Sequence, residues 1–108
     1  MIDAQVQARE AVNTVAAAAL QAVTNELQVR RVQAAFGQSL GVADLSVKPF
    51  NSPVDWGHLV YSAIDPTTVR IEMTIPGEPA EQKSVAASAV TTESVNATAL
   101  MFVQRALR

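Results

Sequence analysis

Cysteine is absent from the 108-residue chain, and histidine occurs only once, at His58. Without thiols the chain has no disulfide, no thiolate metal ligand and no cysteine nucleophile, whatever its redox compartment. A zinc or other transition-metal site needs several nitrogen or sulfur ligands, and one imidazole among scattered carboxylates does not supply them. We therefore expect no metal and no cofactor.

Charged and aromatic residues are also scarce. They make up 17% and 5% of the chain, whereas 49% of residues are hydrophobic, and much of that share is Ala and Val. The net charge of −2 arises from ten acidic and eight basic residues, so there is no basic surface of the kind that neutralises phosphates. We therefore do not expect nucleic acid as a partner, and no feature predicts a small-molecule ligand.

Long hydrophobic runs are missing as well. The longest, residues 15–20, is far below the roughly 20 residues that span a bilayer. Asp3 precedes the first basic residue, Arg9, which is not the basic start of a signal peptide. We expect a protein of the cytoplasm or of a larger particle, with no signal peptide and no transmembrane helix.

The first third of the chain is rich in helix-forming residues. Neither Gly nor Pro occurs in residues 3–36, and Asp3 is a suitable N-cap. Apolar residues form one stripe as far as residue 27, and then Val29, Val32 and Phe36 occupy a different face. We interpret this region as a single helix over 3–36 whose end is buried on two sides.

The clearest local pattern lies in the second half of the chain. Val69, Ile71, Met73 and Ile75 alternate with polar residues, which predicts a half-buried strand. The Gly-, Pro- and turn-rich segment 37–53 is typical of a connector, and one short additional strand fits at 44–48.

Residues 56–64 are the expected partner of this strand, joined to it by Asp-Pro-Thr-Thr at 65–68, which suits a type I turn. A four-residue loop pairs Val60 with Met73. Leu59 and Tyr61 then point to the opposite face of the hairpin, where they would be exposed in a monomer and open to a partner.

A second long helix is expected at the C-terminal end of the chain. Pro79 and Glu81 suit its first turn, but β-branched residues between 90 and 98 lower the helix propensity, so a fully helical 85–98 is not decided. The predicted fold is one α+β domain over 1–108. Its segments are a helix at 3–36, a connector at 37–53, a β-hairpin at 54–76, extended to three strands if 44–48 joins it, and a helix at 79–107.

Two sets of residues are candidates for contacts outside the chain. The apolar set combines the end of the first helix with the hairpin: Val29, Val32, Phe36, Trp56, Leu59 and Tyr61. The cationic set lies near the ends of the two helices, where basic side chains also complement the helix dipole: Arg30, Arg31, Arg105 and Arg108.

Catalytic candidates are weak. His58, Asp55 and Ser52 are the residue types of a hydrolase triad, but roughly 20 Å of extended chain separates Ser52 from His58. No nucleophile elbow surrounds the serine. We predict that the protein is not an enzyme and that His58 has a structural or interface role.

Helix length and apolar content together suggest self-association. A straight helix of about 34 residues is on the order of 50 Å long, more than a compact domain of this size covers. The leading hypothesis is a non-enzymatic structural subunit that forms a homo-oligomer and contacts other assembly proteins, as in virions or injection and secretion machines. The alternatives are a small adaptor or chaperone-like module, and anion or nucleic-acid binding through the helix-end arginines.

Overall fold

The structure is a computed structural model, and it describes residues 4–49 and 55–107. Its first element is a continuous helix in three parts: α1 (Ala4–Glu10), a π-helical segment (Ala11–Ala16) and α2 (Ala17–Val29). The predicted helix over 3–36 is therefore wrong beyond residue 29. The change of apolar face after residue 27 marks the end of the helix and not a helix buried on two sides.

The helix ends at a left-handed residue that is not glycine. Arg31 has φ 62°, and its N–H donates to Gln28 O at 3.0 Å, while Val32 N donates to Leu27 O at 2.9 Å. These two bonds form a Schellman motif, which satisfies carbonyls that the helix end leaves free. The left-handed conformation costs an L-residue roughly 1–2 kcal/mol. No glycine at this position marks the end of the helix in the sequence.

Among the described residues, five strands follow in a simple antiparallel meander, each paired with its neighbours in the chain. They are β1 (Ala34–Ser39), β2 (Val42–Val47), β3 (Gly57–Asp65), β4 (Thr68–Thr74) and β5 (Glu81–Ala86). The predicted hairpin, even with a third strand, undercounts this sheet. The strand pattern predicted at 69–75 corresponds to β4. Strands also form at the end of the first predicted helix, in the predicted connector and at the start of the second predicted helix.

The predicted helix over 79–107 is divided in two. Residues 81–86 form β5, Ala87–Ala89 form a short 3₁₀ turn, and α3 spans Thr92–Ala106. Thr91 is the N-cap of α3, and its Oγ1 accepts from Ser94 N at 3.1 Å while Thr91 N donates to Ser94 Oγ at 3.0 Å. This reciprocal capping box explains why α3 begins where β-branched residues interrupt the helical pattern.

The β3–β4 pairing differs from the predicted register by one residue. Asp65 pairs with Thr68 across a two-residue turn, and a β-bulge between Ala63 and Asp65 shifts the rest of the ladder. Leu59 consequently lies opposite Met73, and Tyr61 lies opposite Ile71. Because side chains alternate along a strand, this one-residue difference moves Leu59 and Tyr61 from the outer to the inner face.

Both helices cover the same face of the sheet. The inner face presents the buried residues Ala43, Leu45 and Val47 of β2, Leu59 and Tyr61 of β3, and Val69, Ile71 and Met73 of β4. Contacts of Ala8 N with Pro66 O and of Phe102 with Gly57 show that the helices run the same way, from the β3–β4 turn towards the start of β3. No element in the described part of the chain covers the other face of the sheet, which we call the open face.

Candidate interaction surfaces

The structure separates the six predicted interface residues. Leu59 and Tyr61 are 0% and 1% exposed in the core, so the prediction that they form an outer apolar face is wrong. Trp56 and Phe36 are half-buried, Trp56 just before β3 and Phe36 on β1. Val29, at the end of α2, is 79% exposed.

Val32, the sixth, lines an apolar groove between α2 and α3. The groove has a volume of about 580 Å³. Its apolar walls come from Val23 and Leu27 of α2, from Val32, and from Leu100, Val103 and Leu107 on and after α3. Leu100 is 59% exposed, although large apolar side chains on a helix normally face the core. As far as residues 4–49 and 55–107 show, the groove is therefore an uncovered apolar surface between two parallel helices.

Few polar groups border this groove. Glu26 of α2 and Arg30, the residue that follows α2, form an exposed ion pair, with Arg30 Nη2 3.0 Å from Glu26 Oε1. Asn96 is a polar residue on the α3 side. Among the described residues of the lining the acid and the base cancel, so these residues contribute no net charge that would select a strongly charged partner.

The arginines predicted as an anion patch have different surroundings. Arg105 donates to Glu81 Oε2 and to Glu78 Oε1, each at 2.5 Å, and so ties α3 to β5 and to the loop before it. The hydrogen bond with Glu78, followed by that with Glu81, raises the pKa of Arg105 above its ordinary value. This guanidinium is therefore occupied by carboxylates of its own chain.

The other arginines of the predicted anion patch also have separate roles. Arg30 pairs with Glu26, and Arg31 is the exposed left-handed residue that ends the helix. Arg108 lies outside the described residues. No single cationic cluster is formed by the three arginines that the structure describes.

His58 projects from the open face of the sheet, and its partner is a serine that the sequence did not single out. Ser46 lies directly opposite His58 in the β2–β3 ladder, with Oγ 2.8 Å from Nδ1. The predicted triad member Ser52 lies outside the described residues. Within residues 4–49 and 55–107, no three His, Cys, Asp or Glu side chains gather as a metal site would require.

The π-helical segment is hydrogen-bonded to β1 and to the turn between β1 and β2. Ala17 N donates to Val12 O, five residues earlier, which leaves Asn13 O free to accept from Gln38 Nε2 at 3.1 Å. The Asn13 side chain accepts from Gly41 N at 3.0 Å. A π-bulge releases one carbonyl from the helix ladder, and here β1 supplies its donor.

The chain matches no protein-family model, no curated protein and no solved structure. None of the helices in the described part of the chain has the length and apolar character needed to cross a membrane.

Proposed function

We propose that this protein is a non-enzymatic structural subunit that assembles with copies of itself through the groove between α2 and α3. The observation that supports this proposal is the uncovered apolar wall, in which Leu100 is 59% exposed beside Val103 and Leu107. Binding another protein to apolar surface of this kind is favourable, because it removes the surface from water.

A second copy of the chain suits the groove because its charges are self-complementary. In a two-fold dimer the same patch contributes to both sides. If the two α2 helices cross in opposite directions, Glu26 of one copy approaches Arg30 of the other, and the reverse contact forms at the same time. A neutral patch with one acid and one base offers no comparable match to a strongly charged protein.

Leu100 makes a measurable contribution in this arrangement. Full burial of a leucine is worth about 1.5–3 kcal/mol, so covering the exposed 59% gains about 1–2 kcal/mol per chain. Two-fold symmetry doubles the gain to about 2–4 kcal/mol, or roughly 30- to 700-fold in the dissociation constant. Association itself costs at least about 4 kcal/mol, so the other groove residues must also be covered.

The test is the mass in solution across a concentration series, measured by light scattering after size exclusion, for the unchanged chain and for Leu100→Gln. We expect an oligomer in both cases. The oligomer of Leu100→Gln should dissociate at a higher protein concentration, because its dissociation constant is raised by the factor given above. Met101→Gln is the matched control, because Met101 is also exposed, at 47%, but lies outside the groove lining. A chain of 11.5 kDa mass at every micromolar concentration contradicts the proposal.

An adaptor that uses the groove for a different protein remains the second candidate, supported by the same apolar wall. It predicts a monomer whose groove binds a foreign amphipathic helix. Leu59 and Tyr61 do not form such an adaptor surface, because both side chains are buried.

A further inference from the structure

The two edges of the sheet differ in charge. The β5 edge carries Glu81 and Lys83, and such charges discourage pairing with another strand. The β1 edge, residues 34–39, has the sequence Ala-Ala-Phe-Gly-Gln-Ser and contains no charge and no proline. Of the two, only β1 lacks the usual protection of an edge strand.

Hydrogen bonds show which groups β1 presents outward. Lys48 N donates to Gln33 O at 2.9 Å, in line with the β1–β2 register, so every second residue from Gln33 bonds to β2. The intervening residues, Ala34, Phe36 and Gln38, direct their N–H and C=O groups away from the sheet. Gln28 Nε2 donates to Ala34 O at 3.0 Å from that outer side, which agrees with this assignment.

The helix beside this edge is also neutral. Its position is fixed by the contacts of Gln28 with Ala34 O and of Gln38 with Asn13 O. Between Glu10 and Glu26 the helix has no charged residue at all. An approaching strand therefore meets no charge from this part of the helix, and the carboxylate of Asp44 lies over Gly37 on the face of the sheet opposite the helices.

We propose that β1 pairs antiparallel with β1 of a second copy, with Phe36 on the two-fold axis, so that one continuous sheet runs through both chains. In this register Ala34 pairs with Gln38 of the other copy, and all outward groups of the three residues find partners. The half-buried Phe36 side chains become direct cross-strand neighbours and complete their burial on the helix side. The Gln28 amide, which is exposed, moves aside when Ala34 O accepts from the second strand.

A second copy is the occupant because β1 complements itself in three respects. Its charge is zero, its outward donors and acceptors match under two-fold rotation, and its one aromatic residue falls at the centre. Six residues of strand extend only about 20 Å, so the neutral flank of α2 must meet its own copy as well. This contact is separate from the groove, which lies on the α3 side of α2.

Gln38 allows a matched pair of variants. Gln38→Pro removes the outward N–H, which no strand of the same chain uses, and proline is tolerated at such edge positions. It also removes the side-chain bond to Asn13 O. Gln38→Ala removes that side-chain bond but keeps the N–H, so a difference in mass between the two folded variants reports the edge pairing and not the loss of the side-chain bond.

The masses of four full-length chains separate this contact from the groove. We expect the unchanged chain to exceed a dimer, Leu100→Gln and Gln38→Pro to form dimers through the remaining contact, and the double variant to be a monomer. Gln38→Ala should assemble like the unchanged chain. Equal masses for Gln38→Pro and Gln38→Ala overturn the edge pairing while leaving the groove proposal intact, and loss of assembly in Leu100→Gln alone does the same.

Hydrogen exchange supplies a second readout if Gln38→Pro fails to fold. In the unchanged chain the amides of Phe36 and Gln38 should become protected as concentration rises, in step with the mass. Exchange of these two amides that stays fast and independent of concentration, in an oligomeric sample, overturns the proposal.

Discussion

Truncating two adjacent residues of β3 tests the register of the sheet. Leu59 is 0% exposed on the inner face, so Leu59→Ala removes a fully buried side chain and leaves a cavity, at a cost of about 3 kcal/mol within the usual 2–5. Val60 is half-buried on the open face, opposite Glu72, and Val60→Ala should cost about 1 kcal/mol or less. The protein as a whole is expected to be stable by roughly 5–15 kcal/mol.

Urea unfolding followed by circular dichroism measures both costs. With a denaturant slope of about 1.5 kcal/mol/M, the midpoint should fall by about 2 M for Leu59→Ala and by about 0.5 M for Val60→Ala. Both variants must be compared at one protein concentration, because self-association adds stability that depends on concentration. A larger loss for Val60→Ala than for Leu59→Ala would mean that the strand is shifted by one residue and would refute the assigned register.

Two further substitutions examine local bonds. Thr91→Ala removes the N-cap acceptor of α3 and should lower the free energy of unfolding by about 1 kcal/mol in the same urea assay, whereas Thr92→Ala, one residue later, should have a smaller effect. Asp65 accepts from Thr67 N at 3.0 Å, and this bond, more than those with Thr68, lowers the pKa of the Asp65 carboxyl. Its contribution to stability is therefore present above the unfolded-state pKa and lost as pH falls below about 4, so Asp65→Asn should make the urea midpoint less dependent on pH in that range; an unchanged slope would contradict this.

The parts of the fold that could be predicted are those with a strong local pattern. The amphipathic stripe located the first helix as far as residue 27, and the alternation from Val69 to Ile75 located β4. Both patterns arise because one face of the element is buried, and burial is recorded directly in the order of apolar and polar residues.

The edge strands could not be predicted in this way. β5 begins with Glu81, Gln82 and Lys83, which are good helix formers, and its residues are almost all exposed. β1 is half-exposed and follows the helix after an arginine that adopts a left-handed conformation. These segments become strands because β2 and β4 offer them a ladder of hydrogen bonds, which is a tertiary effect that outweighs local propensity.

The candidate site could be predicted only in part from the sequence, for the same reason. Val32 is one of the predicted interface residues and lines the groove, whereas Leu100, which also lines it, is not among them. The exposure of Leu100 follows from the position of α3 over the sheet, where Phe102 and not Leu100 meets Gly57. Helical periodicity alone does not show which apolar residue of a broad stripe contacts the core.

The predicted β3–β4 register, by contrast, could have been rejected by comparing the free energy of burial in the two registers. In the structure the inner rows of the sheet read Leu45–Leu59–Met73 and Ala43–Tyr61–Ile71 across three strands. The predicted register puts Ser62 opposite Ile71, and a buried hydroxyl without a partner costs roughly 1–3 kcal/mol, in addition to the burial lost at Leu59 and Tyr61.

The turn and the burial do not conflict, because Asp65 and Thr68 keep the pairing that the predicted loop implies and the β-bulge then shifts the rest of the ladder, which brings Leu59 and Tyr61 inside. The consequence reaches function. Once Leu59 and Tyr61 are inside, the open face of β2, β3 and β4 presents mainly polar groups such as Ser46, His58 and Glu72. An apolar surface that another chain can cover then lies between the helices, at Leu100, and not at Leu59 and Tyr61 of the hairpin.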